Sequence, residues 1–236
     1  MIIKPIKTRI FKEGEDLFDF ITAHIKKIPE ESVIVITSKI VALAERRTVT
    51  KENSSTKEKL IKRESEIAIP SKYVWLTVLQ GTIMASAGID ESNANGKFIL
   101  LPKDSFKTAG LLRKKLMRKF RLRKLGVLIT DSRTLPWRAG VTGIAMGYAG
   151  FGGLKDYRGK PDIFGRKFAY SRVNVSDALA TAAVLVMGEG DERQPLAVIS
   201  QSGAEFCEKI HKKELHIDIR DDMYRPLLSK LPRIYR

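Results

Sequence analysis

The sequence predicts a mixed α/β (α+β) fold because short Val- and Ile-rich runs of strand length alternate with stretches of helical period, and polar residues stand where the apolar runs stop. At 236 residues and 43% hydrophobic content, the chain can bury a substantial core as one domain or as two closely joined lobes. No fixed-period repeat and no long low-complexity linker divides it, so residues 1–236 are expected to act as a single unit.

The elements follow in order. Leu17, Phe18, Ile21 and Ile25 give Gly14 to Lys27 a helical pattern that Pro29 ends. Ser32 to Thr37 reads as a strand that hands Ser38 and Lys39 to its carboxyl end. Lys51 to Glu66 is polar and of mixed charge, an exposed helix or mobile flap without evident chemistry. Tyr73 to Leu79, Thr82 to Ser86 and Phe98 to Leu101 read as strands, the last stopped by Pro102. Ser105 to Phe120 is a helix with Leu112, Leu116 and Phe120 on one stripe and Arg113, Lys114, Lys115, Arg118 and Lys119 between them. Gly126 to Thr130 is a buried-type strand leading into Asp131. The block from Val141 to Gly165 is rich in glycine, which suits either close approach to a ligand or tight packing between elements. Ser176 is the expected cap of a helix through Ala178, Ala182, Val184 and Leu185, with Gly188 at its end and Glu189 just beyond.

Composition excludes several function classes. The longest apolar stretches are too short or too rich in small residues to cross a bilayer, and the N-terminus has no signal-peptide core, so a cytoplasmic location without membrane partners is expected. Cys207 is the single cysteine, which rules out an intrachain disulfide and a cysteine-based zinc cluster. His24, His211 and His216 are scattered and receive no catalytic role. The net charge of +16 points to anionic partners, and much of the excess lies between Lys103 and Lys124. That segment reads as a solvated helix face or, alternatively, as a nucleic-acid surface; no zinc-finger spacing, aromatic RNA-binding signature or recognition-helix motif supports the second.

Three acidic segments carry the chemistry. Ala87-Gly88-Ile89-Asp90-Glu91-Ser92-Asn93, Ile129-Thr130-Asp131-Ser132 and Val186-Met187-Gly188-Glu189-Gly190 each place a carboxylate where an apolar run ends. Ligands of α/β proteins collect beyond strand carboxyl ends, and hard Mg²⁺ or Mn²⁺ prefers carboxylate and hydroxyl oxygen. Taken singly, Asp and Asn after a strand also make turns or cap helices. A Walker loop is absent: the run from Gly153 to Pro161 has one residue too many between its glycines and ends in proline. The glycines near Gly150 also fail the dinucleotide fingerprint.

In their order and spacing these words, together with Pro136-Trp137-Arg138, Asp156-Tyr157-Arg158-Gly159, Asp162 and Phe164-Gly165-Arg166, resemble the GTP-dependent γ-glutamyl ligases that act on the deazaflavin coenzyme F420. The resemblance runs from Val33 to about Ile199. It implies a two-lobed ligase fold, usually an intertwined homodimer, that uses GTP and Mg²⁺ or Mn²⁺ to join L-glutamate to a substrate carboxylate. It places Asp90, Asp131, Ser132 and Glu189 at metal positions. Ser38, Lys39, Asn93, Met187, Gly188, Glu189, Gly190 and Asp191 fall at the nucleotide. Asp131, Arg138 and Arg158 are the catalytic candidates; Arg138, Asp156, Tyr157, Arg158, Asp162 and Arg166 are candidates for binding the substrate, F420-0 or a folate-like carboxylate. An arginine in either role offers a planar guanidinium for bidentate bonds to phosphate or carboxylate.

Two departures stand out. The family usually has Ser-Lys-Ala-Glu-Gly-Arg where this chain has Ala42-Leu43-Ala44-Glu45-Arg46-Arg47, so a phosphate-binding lysine is replaced by Leu43, and either Lys39 or Arg46 compensates or nucleotide binding differs. The usual Asp-Thr-x-Gly-Arg becomes Asp131-Ser132-Arg133-Thr134-Leu135, keeping the hydroxyl but losing the glycine. A nucleic-acid-binding protein on a retired ligase scaffold is the alternative of another class.

Overall fold

A computed structural model describes residues 1–52 and 54–228. Its elements are, in order, β1 (Ile2–Ile6), α1 (Leu17–His24), β2 (Ser32–Thr37), α2 (Ser38–Ala44), β3 (Thr48–Thr50), α3 (Ser54–Glu64), β4 (Ile67–Pro70), β5 (Trp75–Leu79), β6 (Thr82–Ala85), β7 (Lys97–Ile99), α4 (Ser105–Phe120), β8 (Leu125–Thr134), β9 (Val141–Ala149), β10 (Leu154–Asp156), β11 (Arg172–Asn174), α5 (Val175–Met187), β12 (Leu196–Ser200) and α6 (Arg225–Leu228). A 3₁₀ turn at Ser86–Gly88 separates β6 from β7. The fold is a mixed α/β architecture, as the alternation of patterns predicts.

A five-stranded sheet in the order β1-β12-β2-β8-β9 forms the frame. Only β2 and β8 run parallel, pairing Ser32 with Leu125 through Thr37 with Thr130; every other neighbour is antiparallel. The central strands carry continuous apolar runs, Val33 to Ile36 in β2 and Val127 to Ile129 in β8, because both faces are covered. Ile34, Ile36, Val127 and Ile129 pack towards α1 and α4, where Phe20, Ile21, Leu112 and Leu116 meet them. Val33, Val35 and Leu128 face the other way, onto Leu179, Ala180, Ala183 and Met187 of α5 and onto Tyr148 and Phe151.

A second, smaller layer packs beside this frame. The β4-β5-β6 sheet, the β3-β7 ribbon and α3 share a core of Leu60, Ile61, Leu79, Met84, Ile89, Phe98 and Leu100. Met146 touches both this core and the main one. Gln80 and Gly81, both at positive φ, make the two-residue turn between β5 and β6 that matches strand twist.

The glycines of β9 resolve into packing. A Cβ at Gly143 would lie 2.5 Å from the Ala180 carbonyl oxygen of α5, and one at Gly147 would lie 2.5 Å from the Phe106 amide of α4. Helices therefore press onto both faces of this strand at backbone contact distance.

Several expectations need correction. Helix α1 is shorter than Gly14 to Lys27; Asp16 caps it by accepting from the Asp19 amide at 2.9 Å. Strand β5 begins at Trp75, leaving Tyr73 exposed. The α5 cap is Asn174, which accepts from the Asp177 amide, whereas Ser176 is fully buried and donates to the Asn174 side chain at 3.0 Å. Arg113 is no solvated cation: only 6% exposed, it donates to the Leu125 carbonyl at 2.7 Å and to Glu208. Lys107, Lys114, Lys115, Arg118 and Lys119 do face solvent. Strands β1, β3, β4, β9, β10, β11 and β12 and helix α2 have no counterpart among the expected elements; β9 in particular is foreseen only as part of a glycine-rich block.

Candidate active site

The parallel pairing of β2 with β8 brings two carboxyl ends to one edge of the frame. There β2 passes directly into α2, so Ser38 and Lys39 sit at the start of that helix. Strand β8 continues past its apolar run, with a register shift between Ile129 and Thr130. Asp131 and Ser132 thus lie within the strand, opposite Ile144 and Gly143, rather than in a turn beyond it. Strand pairing also decides against the alternative that Asp131 merely makes a turn.

The third segment arrives by way of α5. Gly188 at φ +82 stops that helix, and Glu189 follows at the same edge, with the Ser132 hydroxyl 3.3 Å from its carboxylate. The first segment comes from the smaller layer, where Asp90 exchanges two backbone hydrogen bonds of 2.9 Å with Ile99. Before it, Ser86, Ala87 and Gly88 all have φ between 49 and 65. Left-handed backbone at a serine and an alanine is strained, and it persists because the Thr77 hydroxyl accepts from the Ala87 amide at 2.8 Å. Asn93 ties the first segment to the third by donating to the Gly190 carbonyl at 3.2 Å.

Electrostatics binds these groups into one centre. Loss of solvent drives the Asp131 carboxyl up to about 6, against the Ser132 amide and the Ser38 hydroxyl that donate to it, and the charges of Asp90 and Glu189 push it further. Desolvation likewise raises Glu189, opposed by Ser132 and Lys39 and assisted by Asp90. Asp90 goes the other way: burial would raise it, but the Lys39 ammonium, 2.7 Å from its carboxylate, and the Ser92 amide hold it low. Lys39 also donates to the Ser92 carbonyl and hydroxyl, each at 3.1 Å.

The donor set of three carboxylates flanked by the Ser38 and Ser132 hydroxyls suits a hard divalent cation, which would offset the desolvation and the smaller mutual repulsion that raise Asp131 and Glu189. Among the described residues no three His, Cys, Asp or Glu side chains are yet gathered closely enough to hold a metal, and Lys39 neutralises Asp90 instead.

The remaining expected residues are placed elsewhere. Arg138 lies exposed in the tip joining β8 to β9. Arg158 closes on its neighbour Asp156 at 2.6 Å, and both are exposed beside Tyr157 on the excursion between β10 and β11. Asp162 accepts from the Phe164 and Arg166 amides, each at 2.9 Å, shaping a turn. Among the described residues none of these touches Asp90, Asp131 or Glu189. Met187 is buried in the core, while Gly190 and Asp191 are exposed in the loop after α5; Glu192 accepts from the Gly190 amide at 2.8 Å. Of the two expected substitutes for the missing lysine, Lys39 holds Asp90, whereas Arg46 is exposed with its guanidinium lying over Gly14. Leu43 packs against the core.

The fold and this edge define a class, an α/β protein with an oxygen-rich, electrostatically coupled carboxylate centre at the carboxyl ends of a parallel strand pair. Within that class the chain belongs to the F420-0:γ-glutamyl ligase family, which matches residues 5–201. It is 31% identical to a coenzyme F420:L-glutamate ligase of Methanococcus maripaludis (strain C6), covering 85% of this chain and 88% of that protein. To a ligase of the same name from Methanopyrus kandleri it is 32% identical, covering 82% and 83%. With that of Methanothermobacter thermautotrophicus the identity is 34%, over 79% and 77%. No helix among the described residues is long and apolar enough to cross a membrane.

Proposed function

We propose that this chain, acting as one catalytic unit, is a GTP- and divalent-metal-dependent ligase that adds L-glutamate to the carboxylate of coenzyme F420-0 through an acyl phosphate. The observation that carries this reading is the convergence of Asp90, Asp131 and Glu189 with Ser38 and Ser132 at one sheet edge, in a chain of this family.

A free carboxylate acylates an amine poorly. Transfer of the terminal phosphoryl group of GTP to its oxygen gives an acyl phosphate and GDP; the neutral glutamate amine then attacks the carbonyl carbon, phosphate departs with the electron pair of the C–O bond, and the amide nitrogen gives up a proton to solvent or to the departing phosphate. Such transfer depends on positioning and charge stabilisation more than on covalent work by the protein. Mg²⁺ or Mn²⁺, when bound, supplies charge neutralisation on the phosphoryl oxygens. Asp90, Asp131, Ser132 and Glu189 would hold it. The Ser132 amide and Ser38 hydroxyl orient Asp131, and the bond from Asn93 to Gly190 keeps the Asp90 turn against the loop after α5. Lys39 stands ready to exchange Asp90 for a phosphate oxygen. Arg138, Arg158 and Arg166 are assigned to acceptor or phosphate binding, which requires Arg158 to leave Asp156.

The homodimer belongs to the same proposal. Trp137, Ile163, Phe164 and Tyr170 are each at least 89% exposed on the two excursions that carry those arginines, and apolar surface of this kind suits burial against a second copy. Incubation with GTP, Mn²⁺, L-glutamate and F420-0, followed by mass spectrometry of the acceptor, tests the function. A folate assayed in parallel distinguishes the acceptors. If neither gains glutamate where a known family ligase works, the reading fails.

A further inference from the structure

Beside the carboxylate centre lies a group of cations from the polar stretch that leads into α3. Lys51 Nζ lies 2.7 Å from Glu91 Oε2 and 5.1 Å from the centre of the Phe98 ring, while Lys57, in α3, closes on the other oxygen of the same carboxylate. One residue away, Lys39 holds Asp90. Three ammonium groups therefore converge on two adjacent carboxylates, Asp90 and Glu91. One carboxylate shared by two ammoniums leaves the pair short of negative charge, and Glu91 is exposed enough, at 39%, to exchange its partners readily. The charges are also sorted in space. Asp131 and Glu189 come from β8 and the end of α5 and interact with Asp90, whereas Lys51 and Lys57 come from the end of the β3 ribbon and from α3 in the smaller layer and pair with the neighbouring Glu91. A metal-bound triphosphate has the matching polarity, with its cation on one side and surplus phosphate charge on the other.

We propose that Lys51 and Lys57 are phosphate-binding residues that leave Glu91 to take the polyphosphate of the nucleotide. They supply the cationic contacts that Leu43 cannot make and that Lys39, engaged with Asp90, does not make alone. The assignment deepens the ligase reading and rests on it for the identity of the nucleotide. The chemistry it requires is general: a lysine binds phosphate as a point charge, and two of them on flexible stems follow a mobile polyphosphate chain.

Two measurements test the assignment. In ligation assays with GTP varied, Lys51→Ala/Lys57→Ala should raise the nucleotide KM about tenfold or more while kcat stays within about twofold, as for loss of charge-assisted contacts made in ground and transition states alike. Lys51→Arg/Lys57→Arg should restore most of the affinity, and Lys62→Ala, a control on the same helix, should change nothing. Calorimetric titration with inorganic tripolyphosphate and Mg²⁺ reads the same site without turnover. The double alanine variant should lose that binding, and Glu91→Gln should tighten it by freeing both ammoniums. A protein that turns over no GTP refutes the ligase reading but leaves this titration to judge the lysines. Wild-type tripolyphosphate affinity in the double variant, failure of Glu91→Gln to tighten binding, or no binding by the wild type overturns the assignment.

Discussion

Replacing Asp131 by Asn separates the cost of this carboxylate from its use. The substitution keeps the side-chain shape and leaves an oxygen to accept from the Ser132 amide, but removes the charge that Asp90 and Glu189 oppose. The rise of the Asp131 carboxyl from 3.8 to about 6 sets the scale. Each tenfold change in acidity is about 1.4 kcal/mol, so the ionised form costs the metal-free fold up to roughly 3 kcal/mol. The sign follows from the raised pKa. Protonated Asp131 contributes its full stability below pH 3.8, and that contribution is lost as pH rises through about 6. The asparagine variant has no proton to lose. In chelator it should therefore match the wild type near pH 4 and exceed it at pH 8 by about 1–3 kcal/mol, roughly 2–12 °C in melting temperature for a chain of this size. Added Mn²⁺ should raise the melting temperature of the wild type but not of the variant, and turnover by the variant should fall at least about a hundredfold, as for loss of a metal-ligand charge. Thermal unfolding across pH 4–8, with and without Mn²⁺, reads all of this. A variant less stable than the wild type at pH 8, or equally responsive to Mn²⁺, would refute the reasoning.

Other outcomes follow from the same structure. Because Asp131 must ionise to hold a cation, metal affinity and turnover should fall as pH drops through about 6, measured by Mn²⁺ titration and initial rates across that range. Gly147→Ala places a Cβ against the Phe106 backbone at 2.5 Å and should cost about 1–3 kcal/mol in chemical denaturation, with the site residues untouched. Arg113→Met removes the donor to the Leu125 carbonyl and should destabilise by about 1–3 kcal/mol while leaving nucleotide KM unchanged. Trp137→Asp, at a side chain 99% exposed in the described chain, should weaken self-association in analytical ultracentrifugation without lowering the melting point at dilution.

The two parallel strands of the frame were legible in the sequence because burial on both faces writes a continuous apolar run: β2 was expected at Ser32–Thr37 and is found there, and the apolar run of β8 was expected at Gly126–Thr130. Strand β1 escaped because Lys4 and Pro5 interrupt it, which an outer strand tolerates, and β12 because five residues after a proline carry too little period to read. The carboxylates Asp90, Asp131 and Glu189 were recognisable as ends of apolar runs. That Asp131 lies inside a strand depends on pairing with β9, a non-local fact. Arg113 reads as solvated by its residue type, although a helical projection sets it on the stripe of Ala109, Leu112 and Leu116; its partners there, the Leu125 carbonyl and Glu208, are non-local. Lys51 and Lys57 looked like an ordinary charged stretch because their shared partner, Glu91, is more than 30 residues away.

The decisive measurement follows oxygen from acceptor to phosphate. F420-0 carrying a heavy-oxygen-labelled carboxylate is incubated with the protein, GTP, Mn²⁺ and L-glutamate, and both products are weighed by mass spectrometry. Metal-dependent ligation through an acyl phosphate predicts that the acceptor gains glutamate while one labelled oxygen passes to the released phosphate, and that both changes vanish with chelator and in Asp131→Asn. An acceptor left unchanged, or glutamate gained with no label in the phosphate, would contradict it.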